Sequence, residues 1–451
     1  MQAAKQSTGE HAVVMGAGMA GLLVARVLSE FYRTVIVVER DVLPGAPVAR
    51  KGVPQGRHIH SCLSRGTQVM GEMFPGLLDE LAEAGAVVID DGDLSRIHAR
   101  VGRHEFNPSG RFADPAALVL HLASRPFLEF HVRRRVGLLD NVAILDNHTL
   151  VEPVAHAGSI TGVQAVDSDG VGMELEADLV VDATGRASRI PALLESLGYP
   201  APSEQRSAAN WAYSSQLMSI PDGEFVERMA MVNPGTGKPR ALLVANEHGQ
   251  WMLAVGRASH TGAPPTDFAG MLAAAEEVMP PSIAAGLRSA KPLADVTVFR
   301  NSVSVWRRYD QLNRFPAGLL VVGDAWCSLN PIYGQGMTMA ALDALALRDC
   351  LRAGRADLAR RFFALAAERI GPVWSVNRVN DGGASSARSS RSVTRRLGRW
   401  TLDAVLQAAS TNVAVAEQLL RVNNLVDPPA RLQNRALLPR ILFAKLRHPI
   451  K

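Results

Sequence analysis

The stretch AVVMGAGMAGLLVARVLSEFYRTVIVVE, residues 12–39, changes character in an order that few folds require. The apolar run at 12–15 reads as a buried strand, 16–21 as a turn and 22–31 as an amphipathic helix. A second buried strand follows at 34–40. Continuous apolar strands on either side of a helix predict a parallel sheet covered on both faces. The turn has the spacing G-x-G-x-x-G. Gly16 permits the tight turn, Gly18 lets a pyrophosphate approach, and Gly21 lets helix and strand pack, with Met19 and Ala20 between them in the turn. The helix N-terminus adds free N–H groups and partial positive charge. Glu39, 23 residues after Gly16 and followed by Arg40, stands where a carboxylate binds an adenosine ribose. This unit predicts a dinucleotide site and leaves FAD and NAD both open.

The remaining composition is that of an ordinary soluble protein: 451 residues, 47% hydrophobic and 20% charged, enough for two or three structural units. No run of 18 apolar residues occurs, so no membrane span is expected, and MQAAKQSTGEH lacks an apolar signal core, which predicts a cytoplasmic location. Cys62, Cys327 and Cys350 lack CxxC or His-rich company and read as free thiols, with no metal site. Residues 371–451 carry 13 Lys and Arg against four Asp and Glu in a chain of net charge +5. The arginines (Arg388, Arg391, Arg395, Arg396, Arg399) are interleaved with apolar helical positions, and no set of aromatic residues for stacking bases accompanies them. Nucleic acid is therefore not an expected partner. A solvated helix face and a docking surface for an acidic acyl carrier protein both stay open.

Residues 41–64 read as loop, with Pro44, Pro47 and Pro54; one helix is expected over about 64–85, strands within 86–112, and a helix near 124–138. Further strand-like runs follow, with a hairpin turn at Ser168-Asp169-Gly170. Residues 205–310 predict a mostly antiparallel sheet with one helix near 266–278, and residues beyond 356 read as helical.

Two further motifs bear on the cofactor. LVVDATGRAS (179–188) is a strand running into Asp182-Ala183-Thr184-Gly185, typical of FAD proteins whose Rossmann domain is discontinuous. GDAWCSLNPIYGQGMTMAALDALALRDC (323–350) ends a strand on Gly323-Asp324 and, past Pro331, opens a helix on Gly334-Gln335-Gly336-Met337. A carboxylate at the strand end suits a ribityl hydroxyl, and the helix start suits N–H groups and a dipole aimed at a flavin.

In this order the three motifs resemble the para-hydroxybenzoate-hydroxylase-like FAD-dependent monooxygenases, with GQGMT closer to the squalene-epoxidase branch than to phenol hydroxylases. RKGVPQGRHIH (50–60) with NPIYGQGM (330–337) resembles actinomycete polyketide-tailoring flavoenzymes. These include the polyene epoxidases of polyether biosynthesis and the flavin-dependent Diels–Alder-type (4+2) cyclase of spirotetramate pathways. The resemblance implies an α/β fold with a discontinuous Rossmann-like FAD domain (1–75, 110–204 and 300–355). It also implies a mainly antiparallel substrate domain (76–109 and 205–299) and a C-terminal helical segment (356–451). It places Arg125 against the ribityl or pyrophosphate part of FAD, the backbone of Val151 at the adenine, and Arg50, Lys51, Arg57, His58 and His60 near the cofactor or its entrance. Cys327 stands where many aromatic hydroxylases have a histidine. No Trp-x-Trp-x-Ile-Pro occurs, which argues against halogenation, and no second G-x-G-x-x-G unit offers a nicotinamide domain. The implied enzyme is a monooxygenase or epoxidase acting on a large apolar polyene-like substrate through a flavin C4a-hydroperoxide. NAD(P)H or a separate flavin reductase would supply electrons. The alternative is a non-redox cyclase with FAD as scaffold. No catalytic acid or base is singled out; His58, His60 and Tyr333 lie on loops expected to face the flavin.

Overall fold

Five apolar runs, two of them fully buried, pair in parallel to form the central sheet. Their order is Leu319–Val321, Leu179–Asp182, Gly9–Met15, Tyr32–Val38, Val142–Leu145. The structure, a computed structural model, describes residues 8–447 apart from 61, 209–210, 236, 301–302 and 383–392. Register positions the site. Met15 aligns with both Val38 and Asp182, and Asp182 aligns with Val321. Strands that end level deliver Gly16, Glu39, Ala183 and Gly323 to one edge, the carboxyl edge where parallel sheets bind ligands. The helices Met19–Leu28, Arg125–Gly137 and Gly336–Arg352 pack together beside this sheet. The Arg125–Gly137 helix starts cleanly: the Ser124 hydroxyl accepts from Phe127 N at 3.3 Å, and Pro126 occupies the first turn.

A larger sheet holds Lys291–Pro292, Trp211–Ser219, Gln250–Ala258, Arg240–Ala245, Met229–Asn233, Ile97–Val101 and His104–Glu105 in that order, with Thr297–Phe299 also paired to Trp211–Ser219. One pairing, Met229–Asn233 with Ile97–Val101, is parallel and the others are antiparallel. Leu243, Leu253 and Val255 bury one face beneath helices Phe268–Glu276 and Pro281–Leu287. The opposite face meets the 58–60 loop, where Ile59 packs with Leu242 and Val244. At the sheet edge, Ala99 and Phe106 pack with Ala404, Val415 and Leu419 of the C-terminal helices.

Several sequence expectations change. The single helix over 64–85 is two, Ser64–Met73 and Leu77–Glu83, because Pro75 lacks an N–H and Gly76 takes a φ of 81°. Residues 205–310 hold a second helix, Pro281–Leu287, opened by its first-turn proline. The second central strand stops at Val38, so Glu39 and Arg40 lie just beyond it. At the predicted hairpin turn, the Asp167 carboxylate accepts from Asp169 N (2.9 Å) and Val171 N (2.8 Å). All three cysteines are free and buried. Among the described residues no helix is long and apolar enough to cross a membrane. Arg388 and Arg391 lie outside the described residues, as do the side chains of Arg395, Arg396 and Arg399.

Candidate functional site

The fingerprint turn is sterically committed to glycine. Gly16 has a φ of 104°, and a Cβ there would sit 2.9 Å from the Ala183 carbonyl oxygen; a Cβ on Gly21 would collide with the Gly16 carbonyl. At Gly18, the N-cap of the Met19–Leu28 helix, a Cβ would meet open space. Beside this turn Glu39 is buried and already engaged. One oxygen accepts from Ala17 N (2.8 Å), the other from Asp41 N (3.1 Å), and Arg50 stands 3.1 Å away. Arg50 is the hub. Its Nε donates to Glu129 (2.7 Å), Nη1 to Asp41 (2.9 Å) and Nη2 to the Ala17 carbonyl (3.1 Å), with 6% of the side chain exposed. Burial opposes this charge, but Glu129 and Glu39 act against it and the guanidinium pKa is raised overall.

The second motif also turns inward. Asp182 accepts from Thr184 N (2.9 Å), the Thr184 hydroxyl (2.5 Å) and the Ser188 hydroxyl, so its carboxylate shapes the Ala183-Thr184-Gly185 turn. Burial raises its pKa. Arg186 donates to the Leu329 carbonyl at 2.9 Å, tying this turn to the third motif.

In the third motif Gly323 has a φ of 59°, and a Cβ would stand 2.8 Å from that of Ala20, so the first and third motifs meet. Asp343 on the following helix accepts from Gly323 N (3.0 Å) and Trp326 Nε1 (3.1 Å). Burial lifts its pKa to about 6. Asp324 differs from the other carboxylates: 42% of its side chain is exposed, Arg186 is 3.9 Å away, and it accepts no hydrogen bond among the described residues. Pro331 begins a single 3-10 turn, Gly334 takes a φ of 63°, and Gln335 Oε1 accepts from Asn377 at 2.7 Å. Gly336 then opens the helix with free space where a Cβ would stand, while Met337 is buried.

Arg125 projects from the neighbouring helix. Its Nη2 meets Glu129 at 3.3 Å, but its buried Nε has no acceptor, and burial chiefly lowers its pKa. His58 meets Ser215 at 3.0 Å and lies edge-on to Tyr213 and Phe299; His60 meets the His58 carbonyl at 3.0 Å. Burial brings the pKa of His58 down to about 4, and burial together with Arg125 brings that of His60 down to about 3. Both imidazoles are neutral at pH 7. Arg40, Lys51 and Arg57 remain exposed, and Val151 is 46% exposed on the small antiparallel sheet of Thr149–His156, Ser159–Val166 and Gly172–Glu176. Sequence reading missed Asp41, Glu129 and Asp343. Glu129 had a signal, an i,i+4 position after Arg125 on one helix. Asp343 had another, an acid within the apolar run AALDALAL.

No family model matches the chain. Protein Rv3254 of Mycobacterium tuberculosis is 36% identical over 457 residues, covering 97% of this chain and 94% of its own length. Among solved structures, p-nitrophenol 4-monooxygenase PnpA of Pseudomonas putida superposes with a TM-score of 0.65 at 17% identity, over 94% of this chain and 100% of its own. The Diels-Alderase PyrE3 of the pyrroindomycin pathway superposes with a TM-score of 0.61 at 17% identity, over 93% and 81%. By identity sustained along nearly its whole length the chain belongs to the family of protein Rv3254, and its fold is that of the para-hydroxybenzoate-hydroxylase-like FAD-dependent monooxygenases.

Proposed function

We propose that the chain binds FAD along this carboxyl edge and oxygenates a large, mostly apolar small molecule, with epoxidation of a polyene-like chain in a natural-product pathway as the most specific form. One observation carries the reading. Among the described residues Asp324 accepts no hydrogen bond and has only Arg186 at 3.9 Å, the buried Arg125 Nε has no acceptor, and a Cβ at Gly18 or Gly336 would meet open space. These residues fit the cofactor. Gly18, the helix start behind it and Arg125 would hold the pyrophosphate, Asp324 a ribityl hydroxyl, and the Gly336 helix start the flavin ring. When bound, FAD reduced by NAD(P)H or a reductase supplies the oxygen chemistry. The chain's own residues do the positioning. Arg50 pins the 41–52 loop against the fingerprint turn, and the neutral His58, Tyr213 and Phe299 wall off water. Partly buried Met229 and Leu242 offer an apolar surface on the same sheet. The domain limits inferred from sequence, a cytoplasmic location and an acyl carrier partner belong to the same proposal.

The likeness to a Diels-Alderase over 93% of the chain favours a second reading, a non-redox cyclase that retains FAD as scaffold. Turnover of a polyene substrate with and without O₂ and NAD(P)H separates the two. Full turnover without either overturns the monooxygenase; product labelled from ¹⁸O₂ overturns the cyclase.

A further inference from the structure

One row of the larger sheet carries polar groups that lack partners. Register aligns Tyr213 with Phe299 and Gly256, and Gly256 with Arg240. The pairing of Val232 with Ala241 sets Asn233 opposite Arg240. Residues in one row share a face, and Tyr213 on this face meets His58 of the cofactor-side loop. Because Gly256 has no side chain, Arg240 and Trp211 approach closely, with the guanidinium 3.7 Å from the indole centroid. Stacking fixes the plane of the guanidinium and leaves its N–H edge available. Yet Arg240 makes no hydrogen bond or ion pair among the described residues. Its Nε is covered without an acceptor, and the Oδ1 of Asn233, opposite Arg240 in register, is covered without a donor. Burial lowers the Arg240 pKa, with Tyr333 and Asp381 acting against it from within electrostatic range. Asp381 is occupied by the Tyr333 hydroxyl (2.8 Å), Asn330 Nδ2 (3.2 Å) and the Ser207 hydroxyl (3.2 Å). A covered, unmatched donor and acceptor side by side are costly unless a ligand completes both.

We infer that Arg240 and Asn233, backed by Trp211, form a subsite for a substrate carboxylate that carries a neighbouring N–H or O–H donor. The carboxylate takes the guanidinium edge, and the neighbouring donor satisfies Asn233 Oδ1. The inference rests on the reading that this face borders the substrate space, and it narrows the substrate to an apolar chain with an acidic, donor-bearing head.

The test uses flavin-loaded protein and two probes, N-decanoylglycine and its methyl ester, with affinity measured by isothermal titration calorimetry. The acid should bind about ten- to a hundredfold more tightly than the ester, the range of a charge-assisted hydrogen bond. Arg240→Met should erase that preference. Asn233→Asp, which places a carboxylate against the guanidinium, should erase it as well while raising the melting temperature, so the result does not depend on a fragile variant. Equal affinity of acid and ester for the unmodified protein overturns the subsite, as does a preference that survives both substitutions. Flavin content is read separately from absorbance at about 450 nm. Acid preference in protein that never takes up flavin would uphold the subsite and overturn the cofactor reading; flavin-loaded protein without preference would overturn the subsite alone.

Discussion

Two parts of the central sheet's carboxyl edge handle charge in opposite ways. At the fingerprint end Glu39, Asp41 and Glu129 converge on Arg50 and leave it 6% exposed. At the other end Asp324 is 42% exposed with its nearest cation 3.9 Å away, and it accepts no hydrogen bond among the described residues. The first arrangement is internally complete and holds the loop and turn in place. The second is incomplete and calls for an outside partner. A motif residue at a ligand site can thus build the site or touch the ligand, and hydrogen-bond partners tell the two roles apart.

Four perturbations would break or sharpen this contrast. Gly21→Val should have the largest effect, since any Cβ there strikes the Gly16 carbonyl. Soluble yield and absorbance at about 450 nm should both collapse, and a yellow, soluble variant would refute the packing argument. Arg50→Met strands three buried or half-buried carboxylates and should cost about 3–5 kcal/mol, read from urea unfolding of the flavin-free protein. Asp324→Ala should leave that unfolding curve within about 0.5 kcal/mol, because the one partner lost is a half-exposed arginine 3.9 Å away. It should weaken flavin binding by roughly ten- to a hundredfold in a fluorescence titration. The reverse pattern would invert the assignment of builder and ligand contact.

The smallest effect is on pH. His58 has a folded pKa of about 4 against an ordinary value near 6.5. The unfolded chain therefore takes up a proton that the folded chain refuses, and stability falls as pH drops from 6.5 towards 4. Between pH 7 and pH 5 this group should remove about 1–2 kcal/mol, and His58→Gln should lose that slope. An unchanged slope in the variant would place the pH dependence elsewhere.

Much of the fold is legible because its causes are local. A strand must be apolar on both faces, a tight turn needs Gly16 at positive φ, and a helix against that turn needs Gly21. The break at Pro75-Gly76 was equally local and was overlooked; Pro280-Pro281 likewise marked a helix start that went unread. The site is less legible. Glu39, expected as a ribose acceptor, also accepts from two backbone N–H groups and faces Arg50. Asp182, expected as a cofactor contact, also accepts hydrogen bonds from Thr184 and Ser188. Motif spacing specifies where a carboxylate stands and says nothing about who reaches it first.

From the sequence alone follow a parallel sheet, a glycine turn at its edge and two later segments returning to that edge, because periodicity and glycine sterics act over a few residues. Only the folded chain decides which polar groups are spoken for. Arg50 meets Glu129 across 79 positions, while Arg240 and Asn233 come side by side through strand register and find no partner there. Hydrogen bonds and charge pairs act over a few ångströms in space, whatever the separation along the chain. Partner choice, and with it the difference between scaffold and binding site, is therefore a property of the tertiary structure.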